Sequence, residues 1–290
     1  MEPNTQLTDQ LANISPVVIV AIVVGLTLLR IVLSRVKDGW ARTVSETCDT
    51  VNFVLILAFL LIRPFVAQAF YIPSESMENT LLKRDRLIVD KFMYRWREPQ
   101  RRDVVVFSAP LKATDGIAGQ DYIKRLIAKE GDTVQVRPPR LVIDGETIDP
   151  NAEGMANLHE YLRDRLGISP EVSLKIFPDH LLVDGAERVD KAQIADKLSR
   201  PGAKIELTPG QTLINGAVQD EPYTKEDPDY HFPDDPNAPP FRVPPGNLFM
   251  LGDNRNHSKD SHIWGELEEH RVVGRAVVVF WPPARASAIR

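Results

Sequence analysis

Tyr122-Ile123-Lys124-Arg125-Leu126-Ile127, with Asp103-Val104-Val105-Val106-Phe107 ahead of it, is the stretch that decides the fold class. Short runs rich in β-branched and apolar residues, bounded by Pro, Gly or charge, read as strands. Working outward, runs of the same kind occur at 86–89, 133–136, 141–143, 213–214, 248–251 and 272–281. Asp144-Gly145, Asp184-Gly185 and Asn215-Gly216 stand between such runs. These pairs are strong hairpin signals because both residues tolerate positive φ. The predicted fold is therefore mainly β, an antiparallel β domain made of residues 67–150 and 209–290. Residues 151–208 are more polar and hold two helical stretches, 158–166 and 191–198, which predicts a small α/β insertion. The contexts LVIDGETID, LLVDGAERVD and LINGAVQDEP resemble one another, but three ordinary hairpins explain this as well as duplication does. Residues 227–245 contain seven prolines and read as a loop without recognisable chemistry.

Upstream of the β runs lie two apolar segments. Residues 14–33, ISPVVIVAIVVGLTLLRIVL, are interrupted only by Arg30. About twenty residues at roughly 1.5 Å each suffice to cross a bilayer core of about 30 Å. The second segment, 51–69, carries Arg63-Pro64, which would be costly at mid-bilayer unless Arg63 reaches the interface. The expected organisation is an exported tail 1–13, a transmembrane helix 14–34, a cytoplasmic link 35–45 and a second transmembrane helix 46–66. Arg35, Lys37 and Arg42 in the link, against no Lys or Arg in 1–13, keep the link in the cytoplasm. The expected location is the plasma membrane, multi-pass, with the β domain on the extracytoplasmic side. Glu2 and Asp9, with no basic residue before the apolar run, argue against a cleavable signal peptide.

Composition removes several classes of function. A net charge of −5 and a pI near 5.7 disfavour nucleic acid as a partner. The single cysteine, Cys48, allows neither an intramolecular disulfide nor a cysteine metal site. The six histidines lack the His-x-x-x-His spacing of a zinc hydrolase, so a zinc site is not expected.

The chemistry rests on three segments. Tyr71-Ile72-Pro73-Ser74-Glu75-Ser76-Met77 follows the second apolar run directly. A serine hydroxyl is a weak nucleophile at neutral pH and needs a base. A lysine can serve when burial among apolar groups destabilises its charged form, and Lys124 sits in such a run. The third segment is Gly252-Asp253-Asn254-Arg255-Asn256-His257-Ser258-Lys259-Asp260-Ser261. A strand lysine ordinarily faces solvent, and a lone serine before Met is ordinarily structural. Only their combination with the membrane boundary and the third segment points to a membrane-tethered serine–lysine hydrolase. A Ser76–His257–Asp253 arrangement is the rival, but no Gly-x-Ser-x-Gly elbow presents the serine.

The blocks RPFVAQAFYIPSESM, RDRLIVDKFMY, RDVVVFSAP, DYIKRLIAKEGDTVQV and VPPGNLFMLGDNRNHSKDSHIWG, followed by VVGRA, resemble bacterial type I signal peptidases in content and order. The resemblance covers the second apolar segment, residues 63–150 and residues 209–282. It implies Ser76 as nucleophile and Lys124 as general base. It implies an oxyanion hole from the Ser74 hydroxyl and the Ser76 N–H, each such donor worth roughly 3–4 kcal/mol in the transition state. Ser258 would orient the lysine amine, and Asp253, Arg255 and Asp260 would support the site. Phe70, Ile72, Pro73, Met77, Tyr122 and Ile123 match positions that shape shallow substrate pockets, although packing explains the same residues as well. The implied partners are signal peptides of exported preproteins, cut after Ala-x-Ala-like ends, together with the lipid bilayer and proximity to the protein-export channel. No cofactor is implied.

The chain departs from the family pattern at Asn79, where Pro is common, and at Arg84 and Arg102, where Gly is usual. Ala128-Lys129-Glu130-Gly131-Asp132 replaces a Gly-Leu-Pro-Gly-Asp turn. His262 stands where an arginine often pairs with the Asp260 position, so that pairing is expected to be weaker or to depend on histidine charge. A self-cleaving repressor-type protein shares the dyad style but is soluble and carries a DNA-binding domain. An inactive membrane-anchored binder of exported chains is the reading from another class, and the intact Ser76 and Lys124 oppose it.

Overall fold

The computed structural model describes residues 16–36, 38–58 and 67–290, which fall into two compact units. One unit gathers the N-terminal helices with Arg86–Glu98 and Gly274–Ser287. Its helices, Pro16–Leu33 and Gly39–Leu55, are joined by a short turn and pack together. Asn52 Nδ2 donates to Thr27 Oγ1 at 3.1 Å, and Arg30 Nε reaches the Asp49 carboxylate at 2.9 Å. The charge that interrupts the first apolar run thus finds its partner on the second helix. In the same unit, strand Ala67–Tyr71 pairs antiparallel with Arg86–Asp90, placing Phe70 opposite Leu87. The latter strand also pairs with Val272–Trp281, with Ala276 opposite Val89.

The described residues do not support the two expected membrane spans. Among the described residues no helix is long and apolar enough to cross a membrane. The first helix has 18 residues, about 27 Å at the usual rise. The second begins at Gly39, so most of the expected link 35–45 is helical. Its first half, GWARTVSET, is polar, and Thr47 Oγ1 bonds back to the Thr43 carbonyl at 2.9 Å. Residues 14–15 and 59–66, with Arg63 and Pro64 among them, lie outside the described residues.

The other unit comprises Ile72–Asp85, Pro99–Val273 and Ala288–Arg290. Strand Val104–Ser108 pairs antiparallel with Asp121–Lys129, setting Val105 opposite Lys124. Asp121–Lys129 pairs in turn with Asn247–Leu251, setting Leu251 opposite Arg125, with a bulge between Phe249 and Met250. A second sheet runs Ala217–Val218, Gln211–Ile214, Thr133–Arg137, Phe241–Arg242. Ile127, Ala128, Val134, Ile214, Val243, Phe249 and Leu251 form one buried cluster, joined by the rings of Phe232 and Phe241. Strands of both sheets contribute to this cluster. The mainly β, antiparallel reading holds.

The insertion has a core of its own. Leu141, Ile143, Leu158, Tyr161, Leu162, Leu166, Leu174, Ile176, Leu181, Ile194 and Leu207 are among its buried members. Helix Leu158–Leu166 coincides with the predicted stretch, begins on an Asn157 side-chain cap and ends on a left-handed Gly167. Helix Lys191–Lys197 opens with a capping box between Asp190 and Gln193. The strands Leu174–Ile176, His180–Val183 and Glu187–Asp190 form a small sheet that the sequence reading did not anticipate beyond its Asp184-Gly185 turn. Strand Arg140–Ile143 pairs with Ile205–Thr208 and contributes Leu141 and Ile143 to this core, so the inserted subdomain gathers residues from before 151.

The predicted turns form as their residues dictate. Asp144 and Gly145 take φ values of 52° and 88°, and Asn215 and Gly216 take 53° and 80°. Ile143 pairs with Glu146 and Ile214 with Ala217, leaving two-residue loops. Asp184 and Gly185 also have positive φ, in a loop one residue longer, since Val183 pairs with Glu187. Three positions that depart from the family pattern are left-handed as well: Asn79 at 93°, Arg84 at 77° and Arg102 at 74°. Proline cannot adopt the first, and glycine would be unstrained at the other two.

Candidate active site

Ser76 sits in a tight turn after Pro73, held from behind by the loop that opens at Gly252. Asn254 donates its N–H to the Ser76 carbonyl at 3.1 Å and its side-chain Nδ2 to the Glu75 carbonyl at 3.2 Å. Gly252 is needed at this contact. A Cβ there would lie 2.4 Å from the Ser76 carbonyl oxygen and 2.2 Å from Ser258 Oγ. Only a residue without a side chain lets the two backbones approach so closely.

Lys124 comes from the middle of strand Asp121–Lys129. Its Nζ stands 2.6 Å from Ser76 Oγ and 3.1 Å from the Ile123 carbonyl. Ser76 is 8 % exposed and Lys124 5 % exposed. Burial pulls the Lys124 pKa from 10.5 down to about 8, and the carboxylates of Asp260 and then Asp253 oppose the fall. The net direction makes a neutral amine accessible at mildly alkaline pH. Ser74 Oγ lies 3.3 Å from Ser76 Oγ.

The acidic and basic residues of the third segment each take a separate partner. Arg125, next to Lys124, gives Asp253 a bidentate pair, Nε to Oδ1 at 2.8 Å and Nη2 to Oδ2 at 2.7 Å. Thr80 Oγ1 adds a 2.5 Å bond to the same carboxylate. Arg255 pairs bidentately with Glu221 at 2.7 and 2.8 Å, and its Nε donates to the Gly252 carbonyl at 3.0 Å. Asp260 accepts the Gly252 N–H at 2.9 Å through Oδ2, while Oδ1 faces His262 Nδ1 at 2.7 Å. The network therefore ties the lysine strand, the nucleophile turn and the 252–262 loop into one frame.

Other predicted residues fall differently. Ser258 Oγ is buried against Gly252 and has no hydrogen-bond partner among the described residues; the lysine's second partner is the Ile123 carbonyl instead. Pro73, Ser74, Tyr122 and Ile123 line a cleft of about 650 Å³ that reaches Ser76 and Lys124 and extends past Glu75, Gln120, Asp121, His257 and Lys259. Ile72 and Met77 are buried and are not part of that lining, so packing accounts for them. Phe70 lies on strand Ala67–Tyr71 in the first unit. The histidine-based rival loses its acid, because Asp253 is committed to Arg125 and Thr80 while His257 is exposed at the cleft. Sequence reasoning missed Arg125, Glu221, Thr80 and Asn254. Arg125 carried a signal, since a second cation inside a buried strand demands a buried acid.

A buried hydroxyl and amine in contact on the wall of a cleft, carried by an antiparallel β scaffold, are an arrangement that suits a serine peptidase. The model of the family described as signal peptidase, peptidase S26, matches residues 45–191 and 198–281. A signal peptidase I of Leptolyngbya laminosa is 32% identical over 246 residues, covering 84% of this chain and 83% of that protein. One from Aquifex aeolicus is 31% identical, covering 79% and 81%. A solved signal peptidase I from Enterococcus faecalis is 21% identical, covering 62% of this chain and 97% of that one at a TM-score of 0.26. The chain belongs to the signal peptidase family, peptidase S26. It is a serine endopeptidase, and its reaction is the removal of signal peptides from preproteins.

Proposed function

We propose that Ser76 and Lys124 are the dyad that performs this hydrolysis. The reading rests on the 2.6 Å contact between a buried hydroxyl and a buried amine whose pKa is depressed to about 8. Neutral Lys124 accepts the Ser76 proton as Oγ attacks the scissile carbonyl. The Ser76 N–H and the Ser74 hydroxyl donate to the developing oxyanion. The lysine ammonium then protonates the leaving amine of the mature protein, and an acyl-enzyme on Ser76 remains. Lys124 deprotonates the water that releases the signal peptide. Ser258, buried and with no hydrogen-bond partner among the described residues, is the hydroxyl available to steer the amine. Pro73, Tyr122 and Ile123 line the cleft beside the dyad, and cleavage after small side chains, the Ala-x-Ala-like pattern, is the specificity assigned to it.

Attachment to the bilayer is supported by the first helix, whose apolar side chains Val17, Val20, Leu28 and Val32 are exposed. In this reading the N-terminal segments anchor the protein in the plasma membrane. The basic residues Arg35 and Arg42 stay in the cytoplasm, and the catalytic unit stands on the outer side near the export channel. The decisive experiment incubates the full chain with a preprotein whose signal ends in Ala-x-Ala. Cleavage disappears in both Ser76→Ala and Lys124→Ala with thermal unfolding otherwise normal. Survival of cleavage in Lys124→Ala refutes the base. Protease protection of the catalytic unit inside intact cells refutes the topology.

A further inference from the structure

No residue of the proline-rich loop 227–245 belongs to the dyad, yet one of them, Tyr230, reaches the frame around it. The Tyr230 ring stacks on the His262 imidazole with centroids 4.1 Å apart and planes 17° from parallel. Its hydroxyl is buried and has no hydrogen-bond partner among the described residues, so the ring face rather than a polar bond connects it to its surroundings. His262 Nδ1 meets Asp260 Oδ1 at 2.7 Å, and the His262 N–H adds a weaker bond to the same oxygen at 3.3 Å. Asp260 is fully buried, and its other oxygen holds the Gly252 N–H. Gly252 abuts the Ser76 carbonyl and Ser258. One unbroken series of contacts therefore runs from the loop to the nucleophile: Tyr230, His262, Asp260, Gly252, Ser76.

A carboxylate held firmly at both oxygens has one orientation, whereas without the imidazole Oδ1 keeps only the weaker bond from the His262 backbone N–H and the carboxylate is held less firmly. The imidazole supplies the second hold, and a stacked tyrosine fixes the plane of that imidazole. We propose that Tyr230 and His262 are positioning residues for the peptidase reaction, a stacked pair that orients Asp260 and, through Gly252, the backbone of the nucleophile. The proposal rests on Ser76 as nucleophile and Lys124 as base. It also has an electrostatic side. Asp260 faces Lys124 and favours its protonated form. The charged groups acting on Tyr230 are Asp260, Arg255, Glu221 and Asp229; Arg255 is already paired with Glu221. A neutral imidazole leaves the Asp260 charge in place, whereas a permanent cation at position 262 would offset it.

The test uses the detergent-solubilised full chain, a preprotein substrate, and kcat, KM and pH profiles for four variants. Tyr230→Phe keeps the stack and is expected within about twofold of the parent kcat. Tyr230→Ala and His262→Ala are expected to lose roughly tenfold to a hundredfold in kcat with KM nearly unchanged, as misplacement of reacting groups does. His262→Arg is expected to move the acid limb of kcat to lower pH. The proposal is overturned if folded Tyr230→Ala retains the parent kcat, if Tyr230→Phe is as impaired as Tyr230→Ala, or if the acid limb of His262→Arg stays in place. Should His262→Ala not fold, the tyrosine pair and the arginine variant decide the matter. Failure of the dyad itself reads out separately, as activity surviving in Ser76→Ala or Lys124→Ala.

Discussion

The frame around Lys124 and the core of the insertion solve the same problem, filling a dry interior, with opposite materials. The insertion does it with Leu141, Leu162, Leu174 and Leu181, all 0 % exposed, and with the side chains packed on them. The frame does it with Lys124, Arg125, Asp253, Arg255 and Asp260, none more than 5 % exposed. Apolar contact is non-directional and stabilises in proportion to area. Paired charges recover little net free energy after desolvation, but every oxygen and every N–H has one assigned direction. The insertion is thus built for stability, and the frame for orientation. A nucleophile that must sit within hydrogen-bond reach of an amine needs the second kind of interior.

The largest expected effect separates the two regions at Lys124 itself. The fall of its pKa from 10.5 to about 8 corresponds to about 3 kcal/mol of burial penalty carried at neutral pH. The sign follows from proton counting. Between pH 8 and 10.5 the unfolded chain binds the proton more tightly than the folded one, so stability rises with pH through that window. Below pH 8 the penalty is present in full. Lys124→Met is therefore expected to abolish cleavage, by about 10⁴-fold or more, while raising the unfolding free energy at pH 7 by up to about 3 kcal/mol. Parent activity, which needs the neutral amine, should fall away below about pH 8. Urea denaturation of Lys124→Met at pH 7 and a kcat profile from pH 5 to 10 check both halves. A destabilised Lys124→Met, or activity flat down to about pH 5, would break the contrast drawn between the regions.

A matched pair of truncations sharpens it. Asp253→Ala leaves Arg125 buried without its acid, for which about 3–5 kcal/mol of lost stability is expected. Leu162→Ala in the insertion is expected to cost about 2–5 kcal/mol by cavity formation. The stabilities fall in overlapping ranges, and the difference lies in turnover. Single-turnover rates under conditions where both variants are folded should drop markedly for Asp253→Ala and stay near the parent value for Leu162→Ala. Equal rates in the two variants would mean that the ionic frame only fills space.

The same contrast explains what could be read from the chain and what could not. Strands and turns were legible because their signals are local: the valines before Phe107, the positive-φ pairs Asp144-Gly145 and Asn215-Gly216, the capped helix Leu158–Leu166. Ser76 and Lys124 stood out through the motifs that surround them, and the fold brings the two side chains into contact. The partners of the frame were not, because Arg125–Asp253 and Arg255–Glu221 join residues far apart in sequence. Charge spacing carries no information about such pairs until the fold brings them together. The strands of the insertion were hidden for another reason: Leu174–Ile176 and Glu187–Asp190 are too short for alternation to stand out. The polar start of helix Gly39–Leu55 misled in the opposite sense, since its threonines are accommodated by bonding their hydroxyls to the preceding turn, in a helix that hydropathy alone places further along.

The smallest expected effect concerns the segment Ile72–Asp85, which carries Ser76. Arg84 adopts φ 77°, and its side chain is exposed. Its N–H donates to the Ile72 carbonyl at 2.8 Å, a bond that any residue there would make. A non-glycine residue in the left-handed region costs about 1–2 kcal/mol, against the extra unfolded-state freedom of glycine, roughly 0.5–1 kcal/mol. Arg84→Gly is therefore expected to gain up to about 1 kcal/mol with kcat and KM unchanged, because no site contact involves the guanidinium. Asn79, at φ 93°, provides the control. Its Nδ2 donates to the Tyr223 carbonyl at 3.0 Å, and that bond offsets the same backbone strain. Asn79→Gly should accordingly gain nothing and lose that tie. If thermal unfolding moved upward for both substitutions alike, backbone strain alone would set stability in this segment, and the directional bonding credited to the frame would stop short of it.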